Sequence, residues 1–543
     1  MHSRSVSARP PITERTGWRT VVSDPVEPFV ETKWVGKKVS HGNTFDYLVI
    51  GGGSTGAIVA ARLAEDPEVT VCLIEAGPSD EGKPEILELQ RWPGLLHTDY
   101  DYGYKIEPQE RGNSNIVQSR GRMLGGSGSH NICQSWRAPD HDMRDWETMG
   151  ATGWGPDDTR KYFDRVLETT GLEYTPPDND AASSYIEAGK QLGYTERKMA
   201  ANAEEEGVGW VALNSKDGMR QSSSVAYLHP LGERHPNLTV LTDSPAYRLT
   251  FDDQGNASGV ETANGTYSAR REVIVSAGAF DTPKLLMLSG IGPADHLREM
   301  GIEVRADLPV GKHLLDHPEA GVVYETVKPI HQPNTVFCDA VLLSKVDGSG
   351  TDCPELMMWF FSGDFESFTV GSDSGEKITP EGITAFTIAA DILHSKAEGT
   401  VTLRSTDPTD PPVIDPQYFA DSEGWDEWIL LQGIKLARRI AEQPALAEWI
   451  AREVQPGPDV QSDEDLLEYA RTTAYTAYHP SGTCRMGAAD DPDVVLDPEL
   501  RVRGIGKLRV ADGSVFPTLP GCNPNITCMM VGEKAADLIR GIR

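Results

Sequence analysis

Residues 45–56 have the sequence FDYLVIGGGSTG, in which a short apolar run passes directly into a glycine-rich turn. Residues 57–66, AIVAARLAED, have the composition of a helix, and residues 69–74, VTVCLI, form a second uninterrupted apolar run. Strand, helix and strand within about thirty residues predict a βαβ unit. Because neither apolar run alternates with polar residues, the pattern indicates a parallel sheet that is covered on both faces.

The glycine-rich turn carries the pattern GxGxxG at Gly51, Gly53 and Gly56. Glycines at these positions permit a tight turn, a close approach of the backbone to a pyrophosphate and close packing of helix on strand. Glu75 follows the second apolar run, where a carboxylate can accept hydrogen bonds from ribose hydroxyls. The combination predicts a dinucleotide site, but it does not distinguish FAD from NAD.

Further strands of the same sheet are predicted far along the chain, at residues 271–279 and 507–511, whereas residues 425–442 form a long amphipathic segment. The predicted fold is therefore α/β, with a discontinuous Rossmann-like domain and a second, α+β domain that contains an antiparallel sheet and helices. The expected division is an N-terminal extension at 1–44, the dinucleotide-binding domain at 45–160, 210–325 and 471–543, and the substrate-binding domain at 161–209 and 326–470.

The composition is that of a folded globular protein, with 38% hydrophobic and 24% charged residues in 543. Its net charge of −32 repels nucleic-acid phosphates and anionic lipids, so neither nucleic acid nor membrane is expected as a partner. Seven cysteines without a CxxC pair favour reduced thiols in a cytoplasmic protein. Residues 1–44 lack the apolar core of a signal peptide, and no run approaches the length of a membrane span.

Four ordered motifs lie outside the βαβ unit, at residues 121–131 (GRMLGGSGSHN), 278–292 (GAFDTPKLLMLSGIG), 479–487 (HPSGTCRMG) and 512–526 (DGSVFPTLPGCNPNI). In these motifs and in their order the chain resembles the glucose-methanol-choline (GMC) oxidoreductases, a family that binds FAD. Within the family it most resembles the choline oxidases, and the supporting phrases are IEPQ at 106–109, DHPE at 316–319 and YHP at 478–480.

The resemblance implies FAD as the cofactor and assigns residues of several motifs to its binding. Besides the glycine turn and Glu75, these residues are Arg122, Gly125, Gly126, His130, Asn131, Asp512 and Asn525. His130 matches the position at which choline oxidases link a histidine nitrogen to the flavin, so covalent attachment is expected there. The helix predicted to begin at Asn525 would present its positive end to the anionic reduced flavin.

His479 and Asn523 match the catalytic pair of the family, which faces flavin N5 from the substrate side. An alcohol loses its hydroxyl proton as its α-carbon delivers hydride, so two polar groups must hold the oxygen while the carbon points at the flavin. An imidazole and an amide can do this. No metal is expected.

The residues that the resemblance implies in substrate binding are Trp92, Glu319, Tyr478, Ile132, Trp359 and Phe337. Glu319 matches a carboxylate that pairs with a trimethylammonium head, which aromatic residues enclose through cation–π contacts. Ile132, Trp359 and Phe337 depart from the choline oxidase pattern, which has a serine, a histidine and a tryptophan at the corresponding places. The pocket is therefore expected to be more apolar, and both a choline-like cation and a larger, less polar alcohol remain candidates.

The expected reaction is oxidation of a small primary alcohol to the aldehyde, with a further step to the acid through the aldehyde hydrate, and reoxidation by O2 with release of H2O2. One alternative is a dehydrogenase that passes electrons to a quinone or a carrier protein. A lyase of the hydroxynitrile lyase type, which keeps FAD without net redox chemistry, is another, and a flavin-binding protein without turnover is a third. The oligomeric state stays open, with a homodimer as one option.

Overall fold

The computed structural model describes residues 42–199, 203–232, 235–364 and 382–542. Residues 1–41, nearly all of the predicted N-terminal extension, lie outside this description. The described chain forms two large sheets of seven strands each, together with small two-stranded sheets and helices. Within these ranges, no helix is both long enough and apolar enough to cross a lipid bilayer.

The first sheet is built around the strand Thr44–Ile50, which corresponds to the first predicted apolar run and lies between two parallel neighbours. Its strands follow the order Leu238–Leu241, Val71–Ile74, Thr44–Ile50, Gly265–Val275, Ala257–Thr262 and Ala246–Phe251, and Leu508–Val510 also pairs with Gly265–Val275. The part formed by the predicted apolar runs is parallel, and a hairpin extends it with antiparallel strands. Every residue of Val71–Ile74 is buried, as expected for a strand that is covered on both faces.

Three helices pack against one another beside this sheet. The helix Gly56–Leu63 begins at the glycine turn and contacts the C-terminal helix Asn525–Arg540, which in turn contacts Pro156–Thr170. Their apolar residues and those of the sheet belong to one core, which also contains fully buried tryptophans such as Trp146.

The second sheet is antiparallel throughout. Its strands follow the order Ile450–Gln455, Pro318–Thr326, Ala385–Ile392, Leu356–Ser362, Ala340–Ser344 and Gly207–Trp210, and Tyr475–Thr476 also pairs with Pro318–Thr326. The helix Trp425–Ala441 buries its apolar side against this sheet, as the amphipathic pattern predicted.

The other α-helices of the described chain are Pro84–Leu87, Asp140–Thr148, Asp180–Gln191, Gly278–Leu288, Ala294–Glu299, Pro444–Ala447 and Asp463–Thr473. The short strands are Tyr104–Lys105, Val117–Gln118, Glu173–Tyr174, Ala212–Leu213, Ser215–Lys216, Met219–Arg220, Ile291–Gly292, Ala306–Asp307, Thr400–Thr402 and Val413–Asp415. They form five two-stranded sheets.

The predicted fold class is confirmed, since a discontinuous parallel sheet and a separate antiparallel sheet are both present. Two strands differ from the predicted division. Tyr475–Thr476 pairs within the second sheet, although 471–543 was assigned to the first domain. The strand Pro318–Thr326 also pairs within the second sheet, whereas a boundary after residue 325 assigned it to the first domain. Its partners come later in the chain, at Ala385–Ile392 and Ile450–Gln455, so no local pattern could reveal the pairing. The domain boundaries themselves stay a prediction.

The glycine turn and the loop at residues 121–131 touch at their glycines. Gly126 has φ +53°, and a Cβ placed on it would lie 2.7 Å from the Cα of Gly53. The contact therefore needs both a left-handed backbone and the absence of a side chain. It holds the two loops at backbone distance from each other.

Gly126→Ala is expected to lower the free energy of unfolding by about 1 to 3 kcal/mol, because the added methyl group meets backbone at a left-handed position. Urea-induced unfolding followed by tryptophan fluorescence measures this. Gly94→Ala is the matched control, since its Cβ would meet no atom within 4 Å. Equal stability of the two variants would mean that the loops can separate without cost.

Candidate active site

A cavity of about 990 Å³ connects the glycine turn with the predicted catalytic pair His479 and Asn523. The other predicted residues in its lining are Gly51, Gly53, Glu75, Trp92, Gly126, His130, Asn131, Ile132, Glu319, Trp359, Tyr478, Asp512 and Asn525. Ile50 and Ile74, the last residues of two parallel strands, also line it. The cavity thus lies at the carboxyl ends of the parallel strands, where ligands bind in open α/β sheets.

Glu75 is buried in the cavity wall, directly after the strand Val71–Ile74. Its Oε2 accepts a hydrogen bond from the backbone N–H of Gly52 (2.8 Å), and its Oε1 accepts one from Gly77 (2.7 Å). Burial raises the pKa of this carboxyl to about 7, although the two hydrogen bonds oppose the shift. Each oxygen keeps a further lone pair, so the fixed carboxyl can accept from ribose hydroxyls.

His130 is buried beside the cavity on the loop at residues 121–131. Its Nε2 has no hydrogen-bond partner and lies 4.0 Å from Asp101 Oδ2. Burial lowers the pKa of His130 to about 4; Asp101 opposes this shift and Arg120 adds to it. The ring is therefore neutral at neutral pH, and an unpaired ring nitrogen is available at the cavity wall.

Asp512 follows the strand Leu508–Val510, and both of its oxygens are held. Oδ1 accepts from the N–H (2.8 Å) and hydroxyl (2.5 Å) of Ser514. Oδ2 accepts from the Gly278 N–H (2.9 Å) and the Thr282 hydroxyl (2.6 Å). Nearby, the predicted helix begins at Asn525, in the cavity wall, so that its positive end lies at the cavity.

The hydrogen bonds of two histidines determine which nitrogen of His479 carries the proton. His317 Nε2 lies 3.0 Å from the Leu393 carbonyl oxygen, and His317 Nδ1 lies 2.9 Å from His479 Nδ1. A carbonyl can only accept, so His317 donates through Nε2 and accepts at Nδ1. His479 must then donate through Nδ1, which leaves a lone pair on its Nε2.

The unprotonated nitrogen of His479 contacts the second catalytic candidate. His479 Nε2 accepts a hydrogen bond from the Asn523 amide nitrogen at 3.4 Å, and Asn523 Oδ1 is buried without a hydrogen-bond partner. Burial lowers the pKa of His317 to about 3 and that of His479 well below its ordinary value. The pair therefore offers a neutral imidazole acceptor and an amide at one place, which suits a hydroxyl group that must first be held and then deprotonated.

The buried carboxylate of Asp316 positions this pair. Its Oδ1 accepts from the backbone N–H groups of His317 (3.0 Å) and His479 (2.9 Å). Its Oδ2 accepts from three side chains, Gln118 Nε2 (2.7 Å), Tyr418 OH (2.6 Å) and Thr476 Oγ1 (2.7 Å). The backbone of His479 and that of its hydrogen-bond partner His317 are thus held by the same carboxylate.

Glu319 and Asp391 face each other across the strands Pro318–Thr326 and Ala385–Ile392. Both are buried, and burial together with the neighbouring carboxylates raises the pKa of each well above its usual range. Glu319 reaches the cavity, whereas the oxygens of Asp391 lie behind it without hydrogen-bond partners. A buried acid pair of this kind is stabilised in its ionised form by a nearby positive charge.

Four predicted residues are absent from the described lining: Gly56, Arg122, Gly125 and Phe337. Gly56 is the first residue of its helix, and Gly125 has φ +84° beside Ser129. Arg122 donates to the Asp99 carbonyl oxygen at 3.4 Å. Phe337 packs edge-on against Trp92, with ring centroids 6.4 Å apart, and so supports the pocket wall from behind.

Three residues near the catalytic pair were not predicted. Arg120 lines the cavity and donates to the Tyr478 carbonyl oxygen at 2.5 Å, and nothing in the single sequence singled it out. Asp391 comes from a strand whose pattern carries no motif. His317 lies within the DHPE phrase at 316–319, and that phrase could have indicated it.

The lining fits a flavin dinucleotide. The buried Ser276 Oγ, His130 Nε2 and Asn523 Oδ1 all line the cavity and have no hydrogen-bond partner in the protein. Glycine backbone lies at one end, where a pyrophosphate needs close approach, and a carboxyl for ribose stands next to it. Polar groups for both ends of such a cofactor are therefore in place.

Comparisons with known proteins agree with this geometry. Family models described as GMC oxidoreductase match residues 45–319 and 395–532. The chain is 45% identical over 525 residues to choline oxidase from Arthrobacter globiformis, covering 92% of this chain and 95% of that protein. It is 36% identical over 533 residues to oxygen-dependent choline dehydrogenase from Rhizobium rhizogenes strain K84, with coverage of 91% and 95%.

Among solved structures, pyridoxine 4-oxidase from Mesorbium loti superposes with a TM-score of 0.81 at 28% identity, covering 91% of this chain and 98% of that one. The match therefore extends over both sheets and the cavity between them. The glycine turn, the fit of the cavity and the extent of these matches lead to one conclusion: the chain belongs to the GMC oxidoreductase family and is an FAD-dependent enzyme that acts on CH–OH donors.

Proposed function

We propose that this enzyme oxidises a small primary alcohol with a cationic head, of the choline class, and that His479 and Asn523 hold the hydroxyl oxygen. The observation that carries the proposal is the placement of Glu319, a buried carboxyl in an aromatic pocket that shares one cavity with the His479–Asn523 pair. Two relatives named for choline, at 45% and 36% identity, support the same substrate class.

Bound FAD supplies the hydride acceptor and, once reduced, the electrons that O2 takes up to give H2O2. The chain's part is to orient the alcohol and take its proton. The lone pair on His479 Nε2 accepts the hydroxyl hydrogen, and the Asn523 amide, 3.4 Å away, donates to the same oxygen. Because the His317 hydrogen bond fixes the tautomer, this acceptor is in place before substrate arrives.

The cationic head would lie against Glu319. Trp92, Trp359 and Tyr478 supply aromatic surface in the same cavity, and aromatic faces attract quaternary ammonium groups. Ile132 makes the wall more apolar, which favours contact with apolar groups of the substrate. A neutral alcohol would leave the Glu319 carboxyl without a positive partner, so it is the second candidate and not the first.

The aldehyde product, once hydrated, offers a second hydroxyl to the same pair, so the proposal includes oxidation to the acid. O2 is the proposed acceptor, and a dehydrogenase that uses a quinone or a carrier would differ only there. The relatives and the structure described above are oxidases and a dehydrogenase, which gives the lyase alternative no support. The proposed location is the cytoplasm, since all seven cysteines are free.

The first prediction is that the flavin is attached covalently to His130, whose unpaired Nε2 lies at the cavity wall. Acid precipitation of the holoenzyme should leave the yellow colour in the pellet. In His130→Ala the colour should pass to the supernatant. Complete release of colour from the wild type would show that the imidazole is only packed against the cofactor.

The second prediction is that His479→Ala slows flavin reduction by about two to four orders of magnitude, the usual contribution of a positioned acid–base group. Anaerobic stopped-flow measurement of flavin bleaching gives the rate, and FAD content should stay constant. His331→Ala, at an exposed position, is the control. A loss of less than about threefold, far below that range, would remove His479 from the proton-transfer role.

The third prediction concerns charge recognition at Glu319. Glu319→Gln should weaken binding of a cationic alcohol by about 1.5 to 3 kcal/mol, which is roughly tenfold to hundredfold, because it removes a buried charge partner. A neutral alcohol of the same shape should bind equally well or better. The loss should persist at high salt, since salt screens long-range attraction by the −32 net charge but hardly affects a buried pair.

The raised pKa of Glu319 gives the same prediction a pH dependence. Only the ionised carboxylate pairs with the cation, so affinity should rise with pH in the wild type until the group is fully ionised, and Glu319→Gln should lose this rise. Inhibition constants of a cationic and a neutral substrate analogue, measured across pH, test both points. Equal effects on the two analogues would favour a neutral, more apolar alcohol.

A further inference from the structure

A cluster of side chains that can bind a metal lies outside the catalytic cavity, on three separate elements. His141 belongs to the first turn of the helix Asp140–Thr148, His394 follows the strand Ala385–Ile392, and Cys353 lies between two strands of the second sheet. One ligand atom of each, two ring nitrogens and a thiol sulfur, lie within 4.8 Å of one another. None of the three lines the catalytic cavity.

Asp142 joins the two histidines. His394 Nε2 is hydrogen-bonded to Asp142 Oδ1 at 3.1 Å, and His141 Nε2 lies 3.1 Å from the same oxygen without hydrogen-bond geometry. His141 Nε2 and His394 Nδ1 are buried and have no hydrogen-bond partner in the protein. Two imidazoles thus converge on one carboxylate oxygen, and the buried His394 Nδ1 stays without a partner, which is costly unless another group binds it.

We propose that His141, Cys353 and His394, with Asp142 as fourth ligand or as their orienting group, form a binding site for a thiophilic divalent cation, for which Zn²⁺ is the best match. Tetrahedral zinc with bonds of about 2.0 to 2.3 Å needs donor atoms roughly 3.3 to 3.7 Å apart. The two histidine–carboxylate distances of 3.1 Å already approach this, and a contraction of about 1 Å at most among the three ligand atoms completes it. Imidazole and thiolate ligands select zinc over magnesium or calcium.

The site adjoins the catalytic segment without belonging to it. Asp142 Oδ2 accepts from the Gly521 N–H at 2.7 Å, two residues before Asn523. Leu393, the residue before His394, supplies the carbonyl that fixes the proton on His317. A bound cation would therefore hold the backbone on which both catalytic side chains depend, in the manner of a structural metal site.

The test uses the intact flavin enzyme after removal of metal by chelation. Titration with ZnCl₂ against a competing chelator should give one equivalent bound with a dissociation constant in the micromolar range or below. Co²⁺ should give ligand-field bands in the red, beyond flavin absorption, with the intensity of a tetrahedral site. Cys353→Ala and His141→Gln should each weaken zinc binding by about tenfold to hundredfold or more. A loss of this size is usual when a group that only orients a metal ligand is removed, so removal of a direct ligand should cost at least as much.

His331→Gln is the matched control, because it removes an exposed imidazole far from the cluster in the chain, and zinc affinity should not change. Flavin content and the thermal unfolding midpoint of the metal-free variants verify that each is folded. Zinc binding that is absent at micromolar concentration, or unchanged in Cys353→Ala or His141→Gln, would overturn the proposal. Cobalt spectra typical of six oxygen or water ligands would overturn it as well.

Discussion

The active site depends on one buried negative charge, the carboxylate of Asp316. Five donors converge on it, four of them from distant parts of the chain, and two of the five are the backbone N–H groups of the histidines that determine the proton position at the cavity. A buried carboxylate is tolerated only when its hydrogen bonds are satisfied, so the five donors and the charge require one another. The nearby guanidinium of Arg120 adds a favourable positive charge.

The active site needs residues from both sheets. Asp316 precedes the strand Pro318–Thr326 of the second sheet, whereas Asp512 and the glycine turn belong to the ends of strands in the first. Strand ends of both sheets and the loops between them therefore line the cavity. Of the apolar wall near Glu319, Trp359 belongs to the second sheet, whereas Trp92 and Ile132 come from segments outside it.

The sequence allowed the first sheet to be predicted because its signals are local. The apolar runs at 45–50 and 69–74, and the glycine turn between them, are short-range patterns that can be recognised from a few consecutive residues. The catalytic pair and Glu319 were reached through motifs, and the structure brings them to one cavity. In contrast, Phe337 was expected in the pocket and packs edge-on against Trp92, a contact between distant segments that the local sequence does not reveal.

What could not be predicted is mostly long-range. The proton position on His479 follows from a carbonyl at Leu393, and the pairing of Glu319 with Asp391 follows from strand register. Neither interaction can be recognised from the residues next to it in the sequence. The departures at Ile132 and Trp359 were visible in sequence, but only the structure places both at the wall of the same cavity.

The order of strands in the first sheet has a consequence for how the protein is made. The strand Gly265–Val275 lies between Thr44–Ile50 and Leu508–Val510, so the sheet joins segments from near both ends of the described chain. The strands of the early βαβ unit pair with Leu238–Leu241 and Gly265–Val275, and its helix packs against Asn525–Arg540. All three partners are synthesised much later, so apolar surface of the unit stays exposed in the meantime. Such non-local pairing slows folding. The cofactor cavity can close only after the C-terminal helix has docked, which makes capture of FAD a late event and chaperone assistance valuable before it.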